Sequence, residues 1–522
     1  MTTSGYSVDM IVVGAGSSGA AMTRRLVDAG LTVLLLEAGG PDINPAIVDP
    51  TRLFEVWSGP DERGYQTVPQ PQAANRCLSW PRGKALGGTS SLNAMVHVRG
   101  ARRDFDHWAY LGNPGWSWAD VLPTFRRMED YDGGESPLHG VGGPLHILTH
   151  YEPDDVHGSV LDGFVELGLP VNPDYNCGVL DGVSAMAFTI KDGRWHSTAS
   201  AYLRPVESCP NLTVLTGARA RRLLMRGNRC VGVEWTRNGR VESTTAEREV
   251  IVCAGGIESP RLLMLSGIGD ADHLRAVGID VVVDLPGVGR NLHDHLLAPV
   301  ILTTDRPIDA PTPGLPLTQA HVWARTRPGL LTPDIQPIAL GFPLYSEPWM
   351  TGPDNGISLL AGMVRPSSRG GIRLTGPRTD DTLLIDPATF TCEEDLTALV
   401  AAVKLCRELE TTKALSEWGF RERYPGPEVE TTEALRDFVR RTAFTYHHHV
   451  GTCKMGVDVD SVVDPRLRVH GVEGLRVADA SIMPAVTSGN TNAPAVLIGE
   501  RAADFVLMDA REPAGVAYSA RG

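Results

Sequence analysis

Short apolar runs of strand length alternate with longer mixed stretches from the start of the chain. Asp9-Met10-Ile11-Val12-Val13 is β-branched, apolar and bounded by glycine, the pattern of a buried strand. A helix is predicted from about Ser17 to Ala29, stopped by Gly30, and Leu31-Thr32-Val33-Leu34-Leu35-Leu36 predicts a second buried strand closed by Glu37. Strand-like runs recur at Leu212 to Leu215 and Cys230 to Trp235. Val250-Ile251-Val252-Cys253, ending in Ala254-Gly255-Gly256, reads as another parallel strand. Between Trp108 and Leu148 a Trp-rich pattern predicts helix plus turns. A helix over Glu393 to Leu409 puts Leu396, Leu399, Val400 and Val403 on one apolar face, with Thr391 and Glu394 placed as a capping box. A short helix from about Glu433 to Arg441 leads into Phe444-Thr445-Tyr446-His447-His448-His449-Val450-Gly451-Thr452.

Two stretches break the alternation. Prolines at 307, 311, 313, 316, 328, 333, 337 and 343 forbid a long helix between about Leu302 and Tyr345 and predict edge strands or loops. Such a segment is either a lid over an active site or an insertion without function. Beyond Asp509 the chain turns small, polar and charged, and 511–522 is expected to form a mobile tail.

At 522 residues the chain is long for one core, which predicts two domains. The formal net charge of −14 disfavours nucleic acid or an anionic membrane surface as partner. Eight scattered cysteines without a C-x-x-C pair fit neither a zinc ribbon nor a disulfide framework and read as reduced thiols. The first strand starts too early to follow a signal sequence, and no run is long and apolar enough to span a bilayer, so a cytoplasmic location is expected.

The first strand ends in Gly14-Ala15-Gly16-Ser17-Ser18-Gly19, a G-x-G-x-x-G fingerprint. Gly14 permits the tight turn, Gly16 lets the backbone approach a pyrophosphate, and Gly19 lets helix and strand pack closely, while the helix N-terminus offers its free N–H groups. Glu37 lies near the ~20-residue separation at which an acid accepts from ribose hydroxyls. FAD and NAD both satisfy this unit. A second glycine-rich stretch, Pro81 to Asn93, could bring backbone amides to a planar ligand. Three successive histidines suggest a metal, but on an extended strand His448 opposes His447 and His449, and closed metal sites need three or four ligands, so no metal is expected.

Gly83-Lys84-Ala85-Leu86-Gly87-Gly88-Thr89-Ser90-Ser91-Leu92-Asn93 resembles the first signature of the glucose-methanol-choline (GMC) family of FAD oxidoreductases. Gly255 to Gly269 resembles the second, and Pro286 to Leu292 with Asp294-His295, and Asp479-Ala480-Ser481 with Pro484, are also family-like. Together they cover the chain from residue 9 to about 505. Two positions depart from the pattern: Gly256, and His97, which stands where an aromatic residue or Ala is usual and so bears on the flavin's surroundings.

The resemblance implies an α/β fold, with a Rossmann-like FAD-binding domain (1–150, 196–300 and 446–510) and an α+β substrate domain with an antiparallel sheet (151–195 and 301–445). It implies oxidation of an alcohol CH–OH group, with His448 as base and Asn492 as hydroxyl-positioning partner while hydride passes to flavin N5. Ser17, Ser18, Glu37 and Ala38 should line the adenosine diphosphate. Gly83, Gly88, Thr89, Ser91, Leu92, Asn93, Ala94, Met95 and Val96 should wrap the flavin. Ala220 should meet adenine, and Asp479, Ala480, Asn492 and Ala493 should close the site. Leu92 stands where some relatives attach FAD through histidine, so FAD should be non-covalent. The expected substrate is a sugar, glycoside, polyol or primary alcohol, with O2 or another electron acceptor; a choline-type enzyme and a flavin-fold hydroxynitrile lyase are the alternatives.

Overall fold

In the computed structural model, which describes residues 7–57 and 59–510, the first apolar run forms the strand Ser7–Val13. It pairs in parallel with Val33–Leu36 on one side and Arg240–Val252 on the other, and Leu212–Leu215 adds in parallel outside Val33–Leu36. The strand expected at Val250 is the end of a 13-residue strand. Its polar first half is antiparallel to Arg229–Arg237, itself antiparallel to Arg219–Arg226. Charged residues along that half hid its length from a reading based on apolar runs. Leu475–Val477 pairs in parallel with Val250 to Val252 and completes seven strands.

The helix Ser17–Asp28 returns across this sheet against the C-terminal helix Asn492–Asp509. The two backbones meet closely. The Ser18 hydroxyl donates to the Ala495 carbonyl at 2.6 Å, and a Cβ on Gly499 would fall on the Ser18 carbonyl. Arg25 and Arg127 converge on the buried Glu500, so the crossing is fixed by charge as well as by shape. It brings Asn492 beside Ser17.

A second seven-stranded sheet is antiparallel throughout, in the order Arg421–Tyr424, Leu296–Thr303, Gly356–Met363, Ile338–Leu340, Ala320–Trp323, Gly182–Ala185, with Phe444–Thr445 beside the start of Leu296–Thr303. Strand alternation divides its faces. Leu296, Ala298, Val300 and Leu302 pack with Leu396, Leu399 and Val403 of the helix Glu393–Glu408, whereas Leu297 joins the core shared with the first sheet. Along Gly356–Met363, Leu359 and Ala361 take the helix side and Leu360 the other. One face of this sheet therefore looks toward the first.

Several local expectations need correcting. The Pro-rich region contributes Ala320–Trp323 and Ile338–Leu340, both interior strands, because its prolines all fall outside them, in the flanking and connecting loops. The 393–408 helix starts from Cys392 with no side-chain cap, so Thr391 and Glu394 form no capping box; the Asp395 carboxylate instead accepts from the Ser367 and Ser368 amides. The Trp-rich stretch holds the helix Trp118–Met128, preceded by Arg102–Tyr110, and adds two paired strands, Glu129–Tyr131 and Leu145–Ile147. The expected mobile tail, 511–522, lies outside the described residues.

Gly499→Val should overpack the crossing of the two helices and cost about 1–3 kcal/mol. A lowered midpoint of urea unfolding checks this, and an unchanged midpoint would show that the helices can separate freely.

Candidate active site

A long cavity runs from the carboxyl ends of the first sheet's parallel strands to the inner face of the second. At its first end Gly14 adopts φ 104°, a region that suits glycine, and a Cβ there would strike the Cys253 carbonyl. The helix that follows has Gly16 as N-cap, no side-chain cap and no acid in its first turn. Its uncapped N–H groups and positive dipole end are therefore available to an anion. The glycine-rich segment folds onto this turn: Gly87 N–H donates to the Ala15 carbonyl at 2.9 Å, and a Cβ on Gly88 would press on Gly16.

Glu37 is buried, and its two oxygens accept from Ala15 N–H at 2.9 Å and Gly39 N–H at 2.7 Å. Burial raises its pKa despite these bonds. Each carboxylate oxygen keeps a lone pair that ribose hydroxyls can use. An anion-ready helix end, a glycine surface that side chains would block, and a fixed buried acid fit the adenosine diphosphate arm of FAD. Leu92 lines the cavity, and its side chain offers no atom for a covalent link.

At the other end Asp294 organises the histidines. Its Oδ1 accepts from the His448 backbone N–H at 2.8 Å, and its Oδ2 accepts from the Thr445 hydroxyl at 2.5 Å and faces His449 Nε2 at 3.3 Å. Burial opposes the charge, yet the His449 imidazole and Thr445 hydroxyl keep this carboxyl below the usual carboxylate range. Residues 446–449 are not an extended strand, because His447 adopts φ 66°. His447 packs edge-on against Trp57 and His449 stacks on Trp80, while His448 stacks on Tyr446. His448 Nδ1 meets His295 Nδ1 at 2.9 Å, which leaves Nε2 as the nitrogen available to the cavity. Burial first, and His295 alongside, push the His448 imidazole well below its ordinary pKa; burial pushes His295 down to about 4. Two neutral rings thus share one N–H.

Most of the expected site residues face the cavity: Gly14, Gly16, Ser17, Ser18, Glu37 and Ala38 at one end, then Gly83, Gly88, Thr89, Leu92, Asn93, Ala94 and Val96, with Ala220, Asp479, Ala480, His448 and Asn492. Four stand behind its wall. Gly19 is a packing position, where a Cβ would strike the Gly14 carbonyl. The Ser91 hydroxyl turns away to the Leu86 carbonyl, and Met95 and Ala493 are fully buried in the shared core. Asp479 has little left to offer a ligand, since its oxygens accept from Gly255 N–H, the Ser259 hydroxyl and Ser481 N–H. His97 does not face the cavity either; its Nε2 meets Glu129 in a buried cluster with Arg99 and His139.

Asn492 carries a further surprise: its Oδ1 accepts from the Ser17 hydroxyl at 2.7 Å, which ties it to the nucleotide end. Asn490 also lines the cavity, and its Oδ1 accepts from Gln336 Nε2 at 3.2 Å, from the side of the second sheet. Sequence reasoning did not single out Asn490, Trp57, His295 or the second-sheet residues. The Asp294-His295 pair was visible as a phrase, but nothing local indicated that it would meet His448.

Family models described as GMC oxidoreductase match residues 8–297 and 366–499. Proteins called oxygen-dependent choline dehydrogenase are similar across the chain: that of Brucella ovis is 37% identical over 524 residues, covering 96% of this chain and 95% of its own, and that of Sinorhizobium fredii is 39% identical over 528 residues with the same coverage. Among solved structures, pyridoxine 4-oxidase from Mesorbium loti superposes with a TM-score of 0.90 at 35% identity, covering 95% of this chain and 98% of its own.

Glu37→Ala should leave the Ala15 and Gly39 amides unpaired and remove the ribose acceptor. Loss of charge-assisted hydrogen bonds of about 1.5–3 kcal/mol should weaken FAD binding roughly tenfold to a hundredfold. Titration of apoprotein with FAD, followed by flavin fluorescence, measures the change.

Proposed function

The chain belongs to the GMC oxidoreductase family, and on that premise we propose that His448 is the base with which it oxidises an alcohol. It is an FAD-dependent alcohol oxidoreductase. Bound FAD supplies the acceptor for the hydrogen and two electrons that leave the carbinol carbon. The observation that carries the role of His448 is its state: a buried imidazole held neutral, with Nδ1 engaged by His295 and the ring braced on Tyr446. Such a ring takes the hydroxyl proton at Nε2 and holds it beside the cavity. Asp294 holds the backbone of His448 rather than its ring, so it orients the base without itself taking the proton.

Hydroxyl positioning falls to Asn490 in this reading, and Asn492 becomes a contact of the cofactor arm. With Oδ1 of Asn490 occupied by Gln336, its amide N–H groups are left to donate to the alcohol oxygen as negative charge develops there. Gly14, Gly16, Ser17 and Ser18 would hold the diphosphate, Glu37 and Ala38 the ribose, Ala220 the adenine, and Gly83, Gly88, Thr89, Leu92 to Ala94 and Val96 the flavin.

The same reading divides the chain into a cofactor part and a substrate part, with the boundary expected at 300 drawn before Leu296 so that the strand Leu296–Thr303 stays with its sheet. The names of the relatives support oxygen as electron acceptor and favour choline as a second substrate reading. Unpaired cysteines support a reducing, cytoplasmic setting; among the described residues no helix is long and apolar enough to cross a membrane.

His448→Ala should slow flavin reduction by about 10² to 10⁴ while FAD stays bound. Asn490→Ala should slow the same step, whereas Asn492→Ala should act mainly on FAD affinity; rapid mixing under anaerobic conditions and an FAD titration separate them. If no alcohol bleaches the flavin, lyase chemistry replaces oxidation. Because the pKa of His448 is depressed, its basic form persists down to acidic pH. The rate of flavin reduction should therefore be flat around neutrality and fall only well below the ordinary imidazole value of about 6.5. An acid limb at or above that value would contradict the assignment.

A further inference from the structure

The cavity's charges are unevenly placed. Among the described residues, the acids that line it are Glu37, Glu258 and Asp479. All three serve the nucleotide end, and all are engaged: Glu37 by two backbone amides, Glu258 by Tyr65 and Arg261, and Asp479 by the start of the helix Gly255–Leu265 and the turn after it. At the histidine end the nearest carboxylate is Asp294, which lies behind the wall with both oxygens occupied. The charge that does line that end is the Arg82 guanidinium, which donates to the His447 carbonyl at 2.8 Å and is opposed by Asp294 and Glu62 outside the lining.

The alternation of the second sheet supplies the rest of the wall. His295 immediately precedes the strand Leu296–Thr303, so Leu297, two residues on, takes the same side as the ring that meets His448. Leu360, Ile338 and Leu340 continue this surface, with Trp57 and Phe444 beside it. Apart from His448 and its histidine neighbours, and from Arg82, the polar groups here are Thr318, Asn490, Asn93 and the Tyr446 hydroxyl. That is enough to hold one hydroxyl and too few to satisfy a polyol, whose remaining hydroxyls would be buried without partners. A cation here would meet no free carboxylate and stand near Arg82, and the Trp57 and Tyr446 rings that could face it are already packed on His447 and His448.

Resting on the reading of His448 as the base, we infer that the substrate is an uncharged alcohol with a single hydroxyl on an apolar body, and that the site discriminates against a quaternary ammonium of the same shape. Leu297 is the residue that sets this preference.

The test compares choline with 3,3-dimethylbutan-1-ol, its uncharged isostere, and with benzyl alcohol and glycerol, by anaerobic flavin reduction of the holoenzyme. The isostere and benzyl alcohol should each reduce the flavin at least tenfold more efficiently, as rate over apparent Kd, than choline or glycerol. Leu297→Glu should shift the ratio of choline to isostere at least tenfold toward choline, and Leu297→Gln, similar in size but neutral, should not. Binding is read separately from turnover: 2-phenylpropan-2-ol, which has no carbinol hydrogen to lose, should perturb the flavin absorbance of the oxidised enzyme, and tetramethylammonium should not. Choline equal to or better than its isostere, or glycerol equal to benzyl alcohol, would overturn the inference while leaving alcohol oxidation in place. Absence of bleaching by all four, with FAD bound, would remove the underlying reading and this inference with it.

Discussion

The histidine end of the cavity depends on one buried carboxylate. Asp294 accepts from the backbone of His448, from the Thr445 hydroxyl and from His449, and so pins a histidine-rich turn to the start of the strand Leu296–Thr303. Removing a single partner of a buried charge is costly, because the others cannot replace the lost bonds. The turn is correspondingly over-determined: His447 is held at φ 66° between Trp57 and the Arg82 guanidinium, and His449 lies flat on Trp80. His448 is then the ring of the three that meets another imidazole at hydrogen-bonding distance.

That arrangement lets one cavity hold two unlike environments. The first sheet and its helix supply backbone amides, glycines and an acid, the groups that bind a charged and hydroxylated arm without long side chains. The second sheet supplies an apolar face, and the alternation along each strand keeps that face separate from the one that packs on the helix Glu393–Glu408. Low polarity around the histidines is also what holds them neutral, since burial is the leading cause of their depressed pKa values. The neutral state of His448 and the apolar wall beside it therefore share one cause.

The nucleotide unit was legible because its requirements are local. Gly14 and Gly16 answer to the φ of a turn and the approach of a ligand, and Glu37 ends a strand that any reading of apolar runs detects. The helix Glu393–Glu408 was legible from its apolar stripe, although its cap was not, because nothing local showed that Asp395 would turn to Ser367 and Ser368. The antiparallel sheet was expected only through resemblance. Its strand Leu296–Thr303 is apolar on both faces, so polarity gave no sign of which side would face a cavity.

By itself, then, the sequence determined the dinucleotide turn and the order of the first strands and helix, since each is written in neighbouring residues, while His448 was singled out among its neighbours only through resemblance. Only the tertiary structure decided which residues share a space. It turned His97 away into an ion cluster, gave Asn492 to Ser17 and Asn490 to Gln336, and set His295 and Leu297 beside His448. Most of these pairings join residues far apart in the chain, and one of them, Ser17 with Asn492, spans 475 positions. Their physical basis is the meeting of two sheets and the close crossing of two helices, and no short window of sequence contains either.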